Sequence, residues 1–178
     1  AEERGVAVDR ALIRLEDGTL DYEHLESLLD RRTRLVAVTA ASNALGTAVD
    51  VARVARAAHR VGALVYVDAV HHTPHHRVDI GALGADLLVA SAYKFFGPHT
   101  GVLVGRLQVL EELDAYRLRP APEAPPGKWE TGTQSFESLA GVTAAVDYLA
   151  SLGHMAGASG DRRALLDTGM AAVRDHEA

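Results

Sequence analysis

Cysteine is absent from all 178 residues, so no disulfide and no thiolate metal site can form within this chain. Cations are also short. Eighteen Lys and Arg face 24 Asp and Glu, for a formal charge of -6. Without a basic stripe to displace counterions from phosphates, general nucleic-acid binding is disfavoured. No apolar run approaches the length of a membrane span, and the opening "AEERGVAV" carries no signal-peptide pattern. No glycine-rich phosphate loop follows any predicted strand, which argues against a flavodoxin-like nucleotide binder. Internal repeats and low-complexity segments are lacking as well. The expectation is a soluble, cytoplasmic protein with no membrane and no nucleic-acid partner. Nearly half the residues are hydrophobic (48%), enough for one packed domain at this length.

What is present is an alternation of short apolar runs with amphipathic segments. "RLVAVTA" (34–40), "ALVYVD" (63–68), "DLLVAS" (86–91) and "GVLVGR" (101–106) are short and largely β-branched or aliphatic, as buried strands are. Between the first two, Asp50 is placed to cap "VARVARAAHR", whose Val51, Val54, Ala55 and Ala58 share one face, with Gly62 as the stop. A short helical piece is predicted from Asp79 to Leu83. Strand, helix, strand implies an α/β fold of three layers, with a mostly parallel sheet. The link from Ser91 to Gly101 is too short for a crossover helix, so the fourth strand is predicted antiparallel to the third. Towards the start, "LDYEHLESLLDRR" predicts a helix with Leu20, Leu25, Leu28 and Leu29 inward, preceded by a strand near Val6 to Val8. Its Arg- and Glu-rich face is expected in solvent. After a short helix beyond Arg106 comes "LRPAPEAPPGKWETGTQ", an extended loop holding four of the six prolines. Two helices, "SFESLAGVTAAVDYLASLG" and "DRRALLDTGMAAVRDHE", complete the chain. Residues 1–152 are taken as a core and 153–178 as a helix leading to a further domain.

In open parallel sheets ligands bind at the carboxyl ends of the strands. Asn43, Asp68 and Lys94 fall there. Asp68 follows "ALVYV", which predicts a poorly solvated carboxylate in need of a partner. Lys94 follows "DLLVASAY", and apolar surroundings disfavour an ammonium and so favour a nucleophilic amine. Two readings stand equal on spacing alone: a cofactor site, or a structural Asp68–Lys94 ion pair. The cluster "HHTPHH" (71–76) does not predict a metal site, because Pro74 breaks helical spacing and no carboxylate completes a ligand set. Trp129 is expected to pack rather than read substrate, Tyr66 and Phe95 to sit in the core, and Gly97-Pro98 to turn; Phe96 is open between core and surface.

"YVDAVHHTPH", "SAYKFFGP" and "WETGTQ", in this order and with "SNALGT" upstream, resemble the class V aminotransferase family of pyridoxal-phosphate enzymes, in its cysteine desulfurase-like branch. The resemblance runs from about Arg4 to Leu152. It implies the large domain of a fold-type I enzyme acting on a small amino-acid substrate, with pyridoxal 5'-phosphate as cofactor. Lys94 would hold the cofactor as a Schiff base and later carry the substrate's α-proton. Asp68 would pair with the pyridine nitrogen. His71 and Asn43 match family positions beside the ring, and Ser91 matches a phosphate-binding serine. Tyr93 stands where typical cysteine desulfurases have histidine. Gly132 and Thr133 match a loop that reaches the neighbouring subunit's phosphate, implying a homodimer with shared sites.

Certain family parts have no counterpart in these residues: the persulfide-carrying cysteine, the phosphate-cradling turn, the ring-stacking residue and the arginine that binds the substrate carboxylate. The chain is therefore read as the middle of a longer enzyme. An aminotransferase, epimerase or other lyase on the same scaffold is the alternative, as is a non-catalytic dimerisation or scaffold domain.

Overall fold

The structure, a computed structural model, describes residues 4–177. Strands β1 (Leu35–Thr39), β2 (Leu64–Asp68), β3 (Leu87–Ser91) and β4 (Gly101–Gly105) form one sheet in the order β1-β2-β3-β4. The first three run parallel and β4 returns antiparallel to β3, as the short link requires. The register sets Thr39, Asp68 and Val89 side by side, and Ser91 opposite Gly101.

Between β1 and β2, helix α2 (Val51–Arg60) starts where the Asp50 carboxylate accepts the Arg53 N–H at 2.8 Å. Its Val51, Ala55 and Ala58 pack with Val65, Val67 and Leu88 as the main core, and Val54 is buried as well. Gly62, at φ +82°, turns the chain into β2. Helix α3 (Ile80–Leu83) is capped by Asp79, whose carboxylate accepts the Gly81 and Ala82 N–H groups. Those bonds, together with Arg163 and Arg77, hold the Asp79 carboxyl below the usual range.

By the alternation of the strands, Val36, Val38, Val65, Val67 and Leu88 share the face under α2. The opposite face carries Leu35, Tyr66, Val89 and Leu103. Helix α4 (Leu107–Glu112) reaches it, with Leu110 packed so close to Gly105 that an added Cβ would lie 2.8 Å from Leu110. Elsewhere this face is open: Leu35 is 53% and Leu103 46% exposed. The third layer is thus thin among the described residues. Beyond the proline-rich loop, α5 (Phe136–Met155) and α6 (Arg162–Glu177) pack through small residues. A Cβ on Gly169 would stand 2.7 Å from the Leu149 carbonyl oxygen, and one on Gly153 would collide with that of Leu165. Leu149 and Met170 join Ala92 and Phe95 in a second core. A division after Leu152 falls inside α5.

Two expectations near the start need correction. No strand forms near Val6 to Val8, which lack a pairing partner and are both exposed. Helix α1 covers only Tyr22–Leu28 and buries Leu25 alone. Asp30 ends it early, because its carboxylate takes the Arg32 N–H at 2.7 Å and so favours a local turn over another helical turn. Tyr66 is half-buried and Phe95 buried, while Phe96 lies at the surface.

Candidate active site

Asp68 ends β2. Its carbonyl accepts the Ala40 N–H at 2.8 Å, and its carboxylate accepts the Val70 N–H at 2.9 Å. The side chain is exposed, contrary to the expected poor solvation. The reason is parity: Val65 and Val67 point under α2, so Asp68 belongs to the open face with Tyr66.

β3 ends at Ser91, and a 3-10 turn follows over Ala92–Phe95. Residues three apart eclipse in such a turn, so Ala92 and Phe95 are both buried while Tyr93 and Lys94 face out. The apolar enclosure expected for Lys94 is therefore absent, since the flanking apolar side chains turn away from it. Its Nζ stands 5.2 Å from the centroid of the Tyr93 ring. Phe96 then takes the left-handed conformation at φ 69° with its ring 73% exposed, an uncommon state for a bulky residue. The Gly97 N–H closes the turn on the Ala92 carbonyl at 2.8 Å. Across it, His99 stacks on Tyr93 with ring centroids 4.7 Å apart and planes 6° from parallel. Sequence reasoning missed His99. The only signal was that position 93 holds a tyrosine where the family has an imidazole.

Asn43 is exposed in the loop after β1, which is closed by Ser42 N–H to Thr47 carbonyl and by Gly46 at φ +72°. His71 is half-buried in the turn after β2, its ring 5.2 Å from that of His75. Asn43, Asp68, His71, Ser91, Tyr93 and Lys94 thus all follow or end strands at the carboxyl edge of the parallel part of the sheet. Gly132 and Thr133 are exposed ahead of α5 and make no hydrogen bond to any of those six. Among the described residues, neither Asp68 nor Lys94 forms an ion pair, with each other or with any other group. The structural ion pair is excluded.

The neighbouring histidines are not alike. Burial holds His72 well below the ordinary imidazole range, at about 4, aided by repulsion from His76 and His75. Its buried Nδ1 has no hydrogen-bond partner. The folded value lies below the unfolded 6.5, so unfolding takes up a proton between the two. This contribution to stability is fully present above pH 6.5 and is lost as pH falls through about 4. The expected result is a melting temperature that falls across this window in the wild type and falls less steeply in His72→Gln. Parallel pH profiles for the two proteins would contradict it. A separate cavity of about 620 Å³ lies between this turn and α5 and α6, lined by Thr73, Val78, Phe95, Leu149, Leu166 and Met170 among others. None of the predicted site residues lines it.

The chain is similar to known proteins of one family. The family description "Aminotransferase class-V" matches residues 1–175. A cysteine desulfurase of Enterobacter sp. (strain 638) is 39% identical over 150 residues, covering 77% of this chain and 37% of its own length. One from Haloferax volcanii is 36% identical over 165 residues, covering 86% and 37%. Among solved structures, the S-sulfonic acid form of an Escherichia coli cysteine desulfurase superposes with a TM-score of 0.70 at 26% identity, over 81% of this chain and 42% of that one. The apo cysteine desulfurase of Thermococcus onnurineus gives 0.69 at 26% identity, over 86% and 44%. The chain spans about two fifths of the length of the relatives it matches. It belongs to the aminotransferase class V family.

Proposed function

We propose that this chain is the cofactor-binding part of a pyridoxal-phosphate-dependent cysteine desulfurase. The observation that carries the reading is that an amine and a carboxylate, Lys94 and Asp68, lie at the carboxyl ends of adjacent strands with no ionic partner for either among the described residues. Two structurally idle charges would be tolerated anywhere on a surface; here they stand at the edge where α/β sheets bind ligands. The donor set fits the cofactor: an amine for its aldehyde, a carboxylate for its ring nitrogen, and the Ser91 hydroxyl for its phosphate.

Bound pyridoxal phosphate supplies an electron sink for the bonds broken at the substrate. Lys94 would be the attachment point and, as a free amine, the base for the substrate's α-proton. Asp68 would accept a hydrogen bond from the ring N–H and hold that proton in place. Its own orientation comes from the Val70 N–H. Ser91 and Tyr93 would hold the phosphate, and His71 and Asn43 would flank the ring. Gly132 and Thr133 would serve the phosphate of a second subunit in a homodimer, which suits their exposure and their lack of hydrogen bonds to the other six among the described residues. No helix among the described residues is long and apolar enough to cross a membrane. A reducing cytoplasm suits a reaction that needs free thiols.

The thiol that accepts sulfur must come from outside these 178 residues, which hold no cysteine. With L-cysteine and excess dithiol, the intact protein is expected to yield alanine and sulfide in equal amounts. Pyruvate, ammonia and sulfide would instead assign a β-eliminating lyase. No conversion of cysteine would overturn the reading.

A further inference from the structure

Lysine is rare in this chain, and the second of its two copies is buried. Lys128 is 9% exposed, an expensive place for an ammonium unless it has a fixed acceptor. Its Nζ donates to the Glu111 carbonyl at 2.7 Å, and next to it the Trp129 Nε1–H donates to the Leu110 carbonyl at 3.0 Å. Those two carbonyls lie in the last turn of α4, where the helix supplies no N–H donors for its final carbonyls and favours a cation. From Leu118 to Gln134, among the described residues, these are the only hydrogen bonds to a helix or strand. The loop is otherwise held by itself, as at Gly127, where an added Cβ would meet Pro122 at 2.8 Å. α4 is in turn seated on the sheet through Leu110 against Gly105 and Leu87.

We propose that Lys128 and Trp129 are positioning residues that clamp the loop to α4 and so set where Gly132 and Thr133 stand. Thr133 is four residues past Trp129, hence within roughly 14 Å of the clamp. The inference rests on the reading that this loop serves the cofactor phosphate. A merely structural anchor would stabilise the fold and leave cofactor affinity alone.

The test is a double-mutant cycle in the intact protein, reading the pyridoxal phosphate dissociation constant by absorbance and hydrogen exchange of residues 130–134 in the cofactor-free state. Lys128→Met keeps the apolar stem and removes the donor. Trp129→Phe keeps a ring and removes its N–H. Each is expected to weaken cofactor binding roughly tenfold and to speed exchange of the loop, with Lys128→Arg close to wild type. In a Thr133→Ala background each should weaken binding less than in the wild type, because part of the clamp's effect acts through that residue. If Thr133→Ala alone leaves affinity unchanged, the phosphate reading fails and takes the clamp with it. If Thr133→Ala weakens binding, the clamp alone is overturned by either of two results: both clamp variants lowering only the melting temperature, or both weakening binding equally in the two backgrounds. Should Lys128→Met not fold, Trp129→Phe decides by the same criteria.

Discussion

Lys94→Ala is expected to lower turnover of the intact protein by roughly 10³-fold or more while leaving the fold untouched. The loss is large because one amine serves in two roles, attachment point and proton carrier, and general base catalysis alone is worth about 10²–10⁴. The fold is spared because the Lys94 side chain is exposed and, among the described residues, makes no hydrogen bond or ion pair; its ammonium stands 5.2 Å from the centroid of the Tyr93 ring. Surface changes of this kind shift stability by about 0.5 kcal/mol or less. The 3-10 turn itself rests on Ala92, Phe95 and the Gly97 bond, none of which the substitution touches. Turnover with cysteine and thermal unfolding, measured side by side, check both halves. A variant that keeps a tenth of wild-type turnover would remove Lys94 from the chemistry. A scaffold domain would predict no change, because it has no turnover to lose.

Asp68→Ala should lose on the order of 10²-fold or more in turnover, with cofactor attachment retained. In the proposed role the carboxylate would keep the ring nitrogen protonated, so that the ring can take up the electron pair released as a substrate bond breaks, and its loss would fall on the rate. Its structural duty is slight: one exposed hydrogen bond from Val70 N–H, worth about 1 kcal/mol. The strand end is held instead by the Asp68 carbonyl, which receives Ala40 N–H in any variant. Asp68→Asn keeps the size and one acceptor oxygen but not the charge, and is expected to resemble Asp68→Ala in rate. Turnover within threefold of wild type for either variant would contradict the role.

Much of the fold was legible because local signals and tertiary packing agree. The short aliphatic runs became β1 to β4, Asp50 caps α2 as its position suggests, and the ten-residue step from Ser91 to Gly101 forced an antiparallel return. Where a side chain competes with the backbone, the reading overshot: Asp30 takes the Arg32 N–H and shortens α1. The identities of the candidate site residues came from motif order, but their solvent exposure could not. Asp68 and Lys94 each follow an apolar run, yet which face of a strand or turn is covered depends on where α2 and α5 pack. That is a long-range matter. The burial of Lys128 was hidden for the same reason, since nothing near it in sequence foretells two free carbonyls on α4.

Borohydride reduction of the cofactor-loaded intact protein, followed by peptide mapping, tests the central claim most directly. Only two lysines lie in these residues, and they are differently disposed. Lys128 has its amine buried and donated to Glu111, whereas Lys94 presents its amine at the strand edge beside Tyr93. The predicted result is a pyridoxyl group on Lys94 and on no other residue of the chain. A pyridoxyl group on Lys128, or an unlabelled Lys94 in protein that carries the cofactor, would contradict it.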